Sequence, residues 1–203
     1  MLLLGIGACT RSEATPLTES VARLEYMVLS FPTPWKDQWV FAGRYEVTRK
    51  EYGATGREVD QDLPITMVSF QEAEAWCTAR NLRLPNYWEW RHFANSGRAN
   101  SRVEETARNG LTLGLRRPLP VGVFERGRTA DGAYDFFGNV REWAYDSEEK
   151  RYLACGGSYA SREADTIEQM EMLPAEQAED VGFRYFADAP DYLLLEVVPE
   201  WPG

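Results

Sequence analysis

The sequence is poor in the side chains that most metal and nucleophile chemistry requires. Its 203 residues include one histidine and three cysteines. That supply is too small for a histidine-rich zinc centre or a zinc ribbon, which bind the metal through four such ligands. We expect the histidine, His92, to be a surface or partly packed residue without a catalytic role.

Positive charge is also in deficit. The formal net charge is −10, and only three of the 22 basic residues are lysine. Nucleic-acid binding depends on Lys and Arg that neutralise phosphates, so a nucleic-acid partner is not expected. Seven carboxylates and no basic residue fall in the stretch 163–180. That stretch is interpreted either as a solvated loop or frayed helix, or as a docking face for a cationic partner.

No long hydrophobic run is present, and the apolar segment at 1–9 is far too short to span a bilayer, which takes about 20 residues. Small residues followed by Cys9 resemble the end of a bacterial lipoprotein signal, although a basic n-region is missing. This interpretation predicts a lipid anchor on Cys9, a polar tether at 10–22 and a place at the cell envelope. If the resemblance is coincidental, the chain is instead expected to be soluble and cytoplasmic.

What the sequence does contain is enough apolar surface for one sizeable core. Hydrophobic residues make up 44% of the chain and aromatic residues 13%, including seven tryptophans. A chain of this length corresponds to a single domain. We assign that domain to residues 23–188 and treat 189–203 as a C-terminal tail.

Local patterns predict two short helices among several short strands. Ser69 and Glu72 form a capping box in front of an apolar stripe, which predicts a helix over 70–80. A second helix is expected to begin at Asn86 and to stop at Gly97. Short strands are predicted over 24–31, 39–48, 140–145, 152–156 and 181–187. This mixture indicates an irregular, loop-rich α+β domain.

Several short motifs follow one another in a distinctive order. They are Tyr-Glu-Val-Thr at 45–48, Leu-Arg-Leu-Pro at 82–85 running to Glu-Trp at 89–90, Gly-Asn-Val-Arg-Glu-Trp at 138–143, Gly-Gly-Ser-Tyr at 156–159 and Gly-Phe-Arg at 182–184. Together they resemble the formylglycine-generating enzyme, or sulfatase-modifying factor, family across about residues 24–187. The resemblance implies that family's C-type-lectin-like fold.

The catalytic pair of that family is missing here. Its enzymes oxidise a substrate cysteine with two cysteines that hold copper, and soft thiolates are the ligands that select Cu(I). The matching positions are Ser161 and Thr166, and Arg141 replaces a tryptophan near the reaction centre. The resemblance therefore implies a vestigial groove without copper, lined by Arg141, Ser158, Ser161, Arg162 and Thr166. An iron-dependent branch of the superfamily takes its ligands from a histidine-rich domain, which one histidine cannot replace.

A calcium site of the family is retained in sequence. The resemblance implies one bound ion with side-chain ligands from Asp135 and Glu142 and carbonyl ligands from Gly138 and Val140. Calcium binds six to eight hard oxygen donors, which suits this set. The alternative is a structural turn in which Asp135 caps backbone amides and Glu142 pairs with Arg141 or Arg184. A second calcium site of the family has no clear acidic set here.

The cysteines also depart from the family pattern. Cys77 matches a family cysteine whose usual disulfide partner is replaced by Tyr185. A bridge between Cys77 and Cys155 and a pair of buried free thiols both remain open on sequence grounds.

These features lead to one functional expectation and two alternatives. The expectation is a non-catalytic, calcium-stabilised binding or scaffold lipoprotein that contacts a protein or peptide partner at the bacterial cell envelope. The first alternative is an oxidoreductase of the sulfatase-modifying family that acts on a protein substrate. The second is a lectin-like carbohydrate binder, which rests on analogy of fold alone.

Overall fold

Two small β-sheets and three helices make up the computed structural model, which describes residues 27–30, 40–95, 116–125, 128–161 and 169–188. The helices are α1 (Arg49–Tyr52), α2 (Phe70–Thr78) and α3 (Tyr87–Asn95), with a 3₁₀ turn at Glu58–Asp60. The strands are β1 (Met27–Ser30), β2 (Val40–Gly43), β3 (Arg141–Asp146), β4 (Arg151–Cys155), β5 (Gln169–Glu171), β6 (Val181–Gly182) and β7 (Phe186–Asp188). The predicted irregular α+β class is confirmed.

Some sequence predictions fall outside the described residues. These are the signal and anchor at 1–9 with Cys9, the tether at 10–22, the tail at 189–203, and the groove residues Arg162 and Thr166. Among the residues that are described, no helix has the length and apolar character needed to cross a membrane.

The two sheets differ in the direction of their strands. The three-stranded sheet has the order β1-β2-β7 and is antiparallel throughout. The four-stranded sheet has the order β5-β4-β3-β6, and its β3–β6 pair is parallel. β6 and β7 are separated by only three residues yet lie in different sheets, so the turn at Phe183–Tyr185 connects the two sheets.

Helix α2 begins where the capping box predicts. The Ser69 hydroxyl accepts a hydrogen bond from the Glu72 amide at 3.2 Å, and the Ser69 amide donates to the Glu72 carboxylate at 2.8 Å. These reciprocal bonds satisfy amides that a helix start would otherwise leave without partners. Phe70, Ala73 and Cys77 are buried on one side of the helix, as their spacing predicts. The second predicted helix is also present as α3, and His92 on it is half-buried.

The prediction of only two helices was wrong, because α1 is a third. Thr48 and Glu51 form a second capping box, and Gly53 ends the helix in the left-handed conformation with φ of 88°. A helix of four residues is too short to show an apolar stripe, so hydrophobic periodicity does not detect it.

The predicted strands lie at the right places in the sequence, but their predicted lengths were wrong. The run at 181–187 is divided into β6 and β7 by the turn that carries Arg184 inward. The run at 39–48 is a strand only as far as Gly43. Part of the acidic stretch, Gln169–Glu171, is an exposed edge strand paired with β4, although the pattern suggested a loop or frayed helix. The ends of each strand are set by its pairing with a neighbouring strand, and the spacing of residues along the chain does not reveal that pairing.

Both described cysteines are free thiols. Cys77 packs in one core cluster with Trp143 and Phe183, and Cys155 packs in a second with Trp90 and Phe136. Burial raises the pKa of the Cys77 thiol to about 12 and raises that of Cys155 well above its usual range. Of the two alternatives left open by sequence, the structure therefore has the pair of buried thiols.

Candidate functional site

Two turns that are distant in sequence lie side by side and form the candidate groove. The Gly138 amide donates to the Gly156 carbonyl at 2.9 Å, and the Tyr159 amide donates to the Asn139 carbonyl at 2.9 Å. Gly156 has φ of +98°, and a Cβ there would lie 2.4 Å from the Phe136 carbonyl oxygen. Only glycine allows this conformation and this close approach. The Gly-Asn motif and the Gly-Gly-Ser motif are thus held against each other.

The described groove residues form one connected polar network. The Arg141 guanidinium donates to the Ser161 hydroxyl at 3.2 Å, and its Nε lies 3.4 Å from the Asp180 carboxylate. The Ser158 hydroxyl donates to the same carboxylate at 2.6 Å, while the Ser158 amide donates to the Ser161 hydroxyl at 3.0 Å. Arg141 is 8% exposed and Ser158 is fully buried. The structure therefore brings together the predicted Arg141, Ser158 and Ser161, and adds Asp180.

This network has no group that can act as a soft metal ligand. Ser161 offers a hydroxyl, which stays protonated and is a poor ligand for Cu(I), whereas a thiolate is the form that binds the metal. Cys77 and Cys155 lie in the cores, and their raised pKa values keep both thiols protonated at neutral pH. Within the described ranges, no group of three or more His, Cys, Asp or Glu side chains is arranged to hold a metal ion.

A buried ion pair involves Glu142, the residue that follows Arg141 of the groove. Arg184 has no exposed surface, and its Nε and Nη2 donate to the two Glu142 oxygens at 2.8 and 2.5 Å. The same guanidinium donates to the carbonyls of Gly43 at 3.0 Å and Tyr134 at 2.7 Å. Trp90 Nε1 donates to Glu142 at 2.7 Å. Of the two arginines that the structural-turn alternative offers, Arg184 is the one that pairs with Glu142.

Two further acids interact with this pair. Glu46 is 1% exposed, and no donor from another described residue reaches either of its carboxyl oxygens. Burial, followed by the charges of Asp135 and Glu142, raises the Glu46 pKa well above its usual range. Burial also raises the pKa of Asp135 to about 6, although the Gly122 amide donates to that carboxylate at 2.6 Å and opposes the shift. One guanidinium therefore faces three buried acids.

The predicted calcium ligands fit a calcium ion only in part. Asp135, Glu142 and the carbonyl-bearing turn of Gly138 and Val140 all belong to one buried segment, 135–144. Glu142 Oε2 accepts hydrogen bonds from both Arg184 and Trp90, and Oε1 accepts one from Arg184, so most of the acceptor capacity of Glu142 is already used. The contacts of Asp135 and Glu142 match the structural-turn alternative. Three buried acids share the single guanidinium of Arg184, and a bound cation would compensate the negative charge that this guanidinium does not balance.

Sequence reasoning missed Glu46 and Asp180 as members of these networks. Glu46 interrupts an apolar run between Tyr45 and Val47, and an isolated acid in such a run is the signal that could have identified it. Asp180 is one of seven carboxylates in the acidic stretch, and nothing in that stretch distinguishes it from the others. Only the fold shows that it faces Arg141.

Comparison with known proteins gives a consistent family and fold. Residues 17–189 match the family model described as a sulfatase-modifying factor enzyme 1-like domain. Two hercynine oxygenases are each 34% identical: that of Mycolicibacterium smegmatis over 105 residues, 47% of this chain, and that of Mycobacterium tuberculosis over 114 residues, 52% of this chain. The chain spans 24% and 26% of the length of these two relatives.

Solved structures with the same fold are more distant in sequence. Treponema denticola variable protein 1 has a TM-score of 0.61 at 16% identity, with 74% of this chain and 85% of that chain covered. PvdO from Pseudomonas aeruginosa has a TM-score of 0.57 at 17% identity, with 74% and 81% covered. At such identities the likeness shows the fold.

Proposed function

Because the chain belongs to the sulfatase-modifying factor family, we propose that it is a non-catalytic member whose former active-site groove binds a protein or peptide partner. The observation that carries the proposal is the polar network of Arg141, Ser158, Ser161 and Asp180, whose side chains bond to one another. Ser161 in this network matches one of the two positions at which the family's enzymes have copper-binding cysteines. Its groups are hydrogen-bond donors and acceptors suited to recognition, and none is a thiolate.

The edge of the groove gives the partner a chemical character. The Tyr159 hydroxyl donates to the Glu179 carbonyl at 3.2 Å, so this side chain holds the acidic stretch beside the groove. Glu176 and Glu179 on that stretch are exposed. A partner segment that carries basic residues would complement this rim, in agreement with the net charge of −10.

An oxidation assay tests the absence of catalysis. The chain is loaded with Cu(I), supplied with oxygen and incubated with cysteine-containing peptides, and mass spectrometry follows conversion of cysteine to formylglycine. No conversion beyond that of a copper-only blank is expected. Turnover of any peptide in excess of enzyme would overturn the proposal.

A crosslinking experiment tests the binding role. A photoreactive residue replaces Tyr159 at the groove, and a matched variant carries the same label at exposed Lys50. The label at Tyr159 is expected to crosslink one envelope protein that then binds the purified chain through a basic segment. Equal crosslinking from both positions would argue against recognition at the groove.

We also propose that one calcium ion stabilises the domain through Asp135, with carbonyl ligands from Gly138 and Val140. The surplus of buried acids around Arg184 supports this proposal, because a divalent cation would compensate it. After treatment with a chelator, added Ca²⁺ is expected to raise the melting temperature of the unmodified chain and not that of an Asp135→Ala variant. No rise in the unmodified chain would refute the site.

Attachment to the cell envelope through a lipid on Cys9 is a separate proposal, supported by the apolar segment in front of that residue. Incorporation of labelled palmitate is expected in the bacterial host and is expected to disappear in Cys9→Ser. Labelling that persists in Cys9→Ser, or that never occurs, would contradict a lipid anchor at this position.

One observation favours a second candidate function. The relatives that share 34% identity are named hercynine oxygenases, so an oxidoreductase role remains in competition. This chain covers about a quarter of their length, and such a reaction would need residues from outside the matched part. Hercynine binding by calorimetry tests it: binding that weakens in Arg141→Ala supports this candidate, and no binding counts against it.

A further inference from the structure

A second cleft lies at the other end of strand β3 from the Arg141 groove. It has a volume of about 580 Å³, within the range of small-molecule sites. Its walls come from α2, from the β3–β4 hairpin and from the segment 83–86 that leads into α3.

An aromatic cluster forms one side of this cleft. Tyr145 and Tyr152 are directly opposite each other in the β3–β4 pair, with ring centroids 5.0 Å apart. The Phe70 ring packs 4.8 Å from Tyr152, edge to face. Both tyrosines are partly exposed, and no hydrogen bond of either hydroxyl is recorded among the described residues. Because both side chains are partly exposed and line the cleft, part of their ring surface can contact a ligand.

A polar row on helix α2 also lines the cleft. Gln71, Glu74 and Thr78 are spaced three and four residues apart, which places them on one side of a helix, and all three are exposed. Glu74 takes part in no ion pair of the described residues. Its carboxylate is thus available to a ligand in the cleft.

Arg83 is the basic side chain that lines the cleft, and its guanidinium already donates to two carboxylates. Its Nη1 and Nη2 donate to the two Glu89 oxygens at 2.6 and 2.8 Å, and Nη2 also donates to Asp188 at 2.7 Å. A guanidinium shared by two carboxylates has little capacity left for an anionic ligand. Glu74, Glu89 and Asp188 line the cleft together with Arg83, so the lining holds more carboxylates than guanidinium groups.

From these three features we propose that the cleft binds a small organic cation, whose ammonium head lies between Glu74 and the rings of Tyr145 and Tyr152. Aromatic faces attract cations through the ring quadrupole, and a quaternary ammonium suits such a site because it loses little hydration. The carboxylate adds charge complementarity. This site is separate from the proposed partner groove, and neither proposal depends on the other.

Calorimetric titration with two matched probes tests the proposal. Choline carries the cation, and 3,3-dimethyl-1-butanol has the same shape without the charge. Choline is expected to bind with a stoichiometry of one and at least about fivefold more tightly than its neutral counterpart. Equal affinity for the two probes, or no choline binding at millimolar concentrations, would overturn the proposal.

Variants locate the binding. Glu74→Gln keeps the shape of the wall and is expected to weaken choline binding about three- to tenfold, whereas Glu148→Gln, an exposed position outside the cleft, is expected to leave it unchanged. Tyr145→Leu should weaken binding, and Tyr145→Phe should preserve it because the ring remains. Identical affinities for Glu74→Gln and Glu148→Gln, or for the two Tyr145 variants, would contradict the assignment.

Discussion

Removal of Arg184 is the strongest test of the electrostatic account of the domain centre. In Arg184→Met a side chain of similar length remains, but the fully buried Glu142 carboxylate loses both of its bonds to the guanidinium. The carbonyls of Gly43 and Tyr134 lose a donor as well. Breaking a buried ion pair from one side costs about 3–5 kcal/mol, because an uncompensated charge is left behind.

We therefore expect Arg184→Met to lower the free energy of unfolding by about 3 kcal/mol or more. Tryptophan fluorescence during urea unfolding measures it, with an unchanged denaturant slope indicating that the unfolded state is unaffected. The matched control is Arg57→Met, which removes an ion pair to Asp60 whose arginine side chain is 84% exposed. That loss is expected to stay below about 0.5 kcal/mol.

A double-mutant cycle separates the ion pair from general packing. Glu142→Gln alone and together with Arg184→Met completes the cycle, and a coupling free energy of at least about 1 kcal/mol is expected for residues in direct contact. If Arg184→Met fails to fold, Arg184→Lys keeps the charge without the forked donors and gives a measurable, smaller loss. A loss below about 1 kcal/mol for Arg184→Met, or a coupling near zero, would refute the reasoning.

Three further predictions concern single positions. Because the pKa of Glu46 is raised, the folded chain holds this proton to a higher pH than the unfolded chain does. The associated stability is complete below the unfolded pKa and is lost as the pH rises through the folded one. Urea unfolding should therefore show Glu46→Gln gaining on the unmodified chain as the pH rises above the unfolded pKa of a glutamate; a difference that stays constant with pH would contradict this. Cys77 and Cys155 should resist a thiol reagent in the native state and react on unfolding, and rapid native reaction at either would conflict with their burial. Gly156→Ala should destabilise the domain by at least about 1 kcal/mol more than Gly53→Ala, because both have positive φ but only Gly156 meets backbone within 2.4 Å; equal losses would exclude the steric cause.

The sequence allowed the features with local causes to be predicted. The capping box of Ser69 and Glu72 fixed the start of α2, since the reciprocal bonds involve residues only three apart. The family motifs predicted the fold, and Arg184 was one of the two arginines expected as partners of Glu142.

Features decided by distant parts of the chain were not predictable. The division of 181–187 into two strands depends on backbone bonds from Val47 to Phe183 and from Gly43 to Tyr185, which join segments about 140 residues apart. The roles of Glu46 and Asp180 likewise depend on which side chains the fold places next to them. No spacing along the chain encodes those neighbours.

The central proposal is that this chain keeps the fold of its family but has lost the copper chemistry of the family's active-site groove. The most direct test measures Cu(I) binding by competition between the purified Cys9→Ser chain and a chromophoric Cu(I) chelator. The Cys9→Ser substitution ensures that any copper bound is not held by the thiol of Cys9. The folded chain is expected to withdraw no copper from the chelator. Withdrawal of one equivalent of Cu(I) per chain would contradict it.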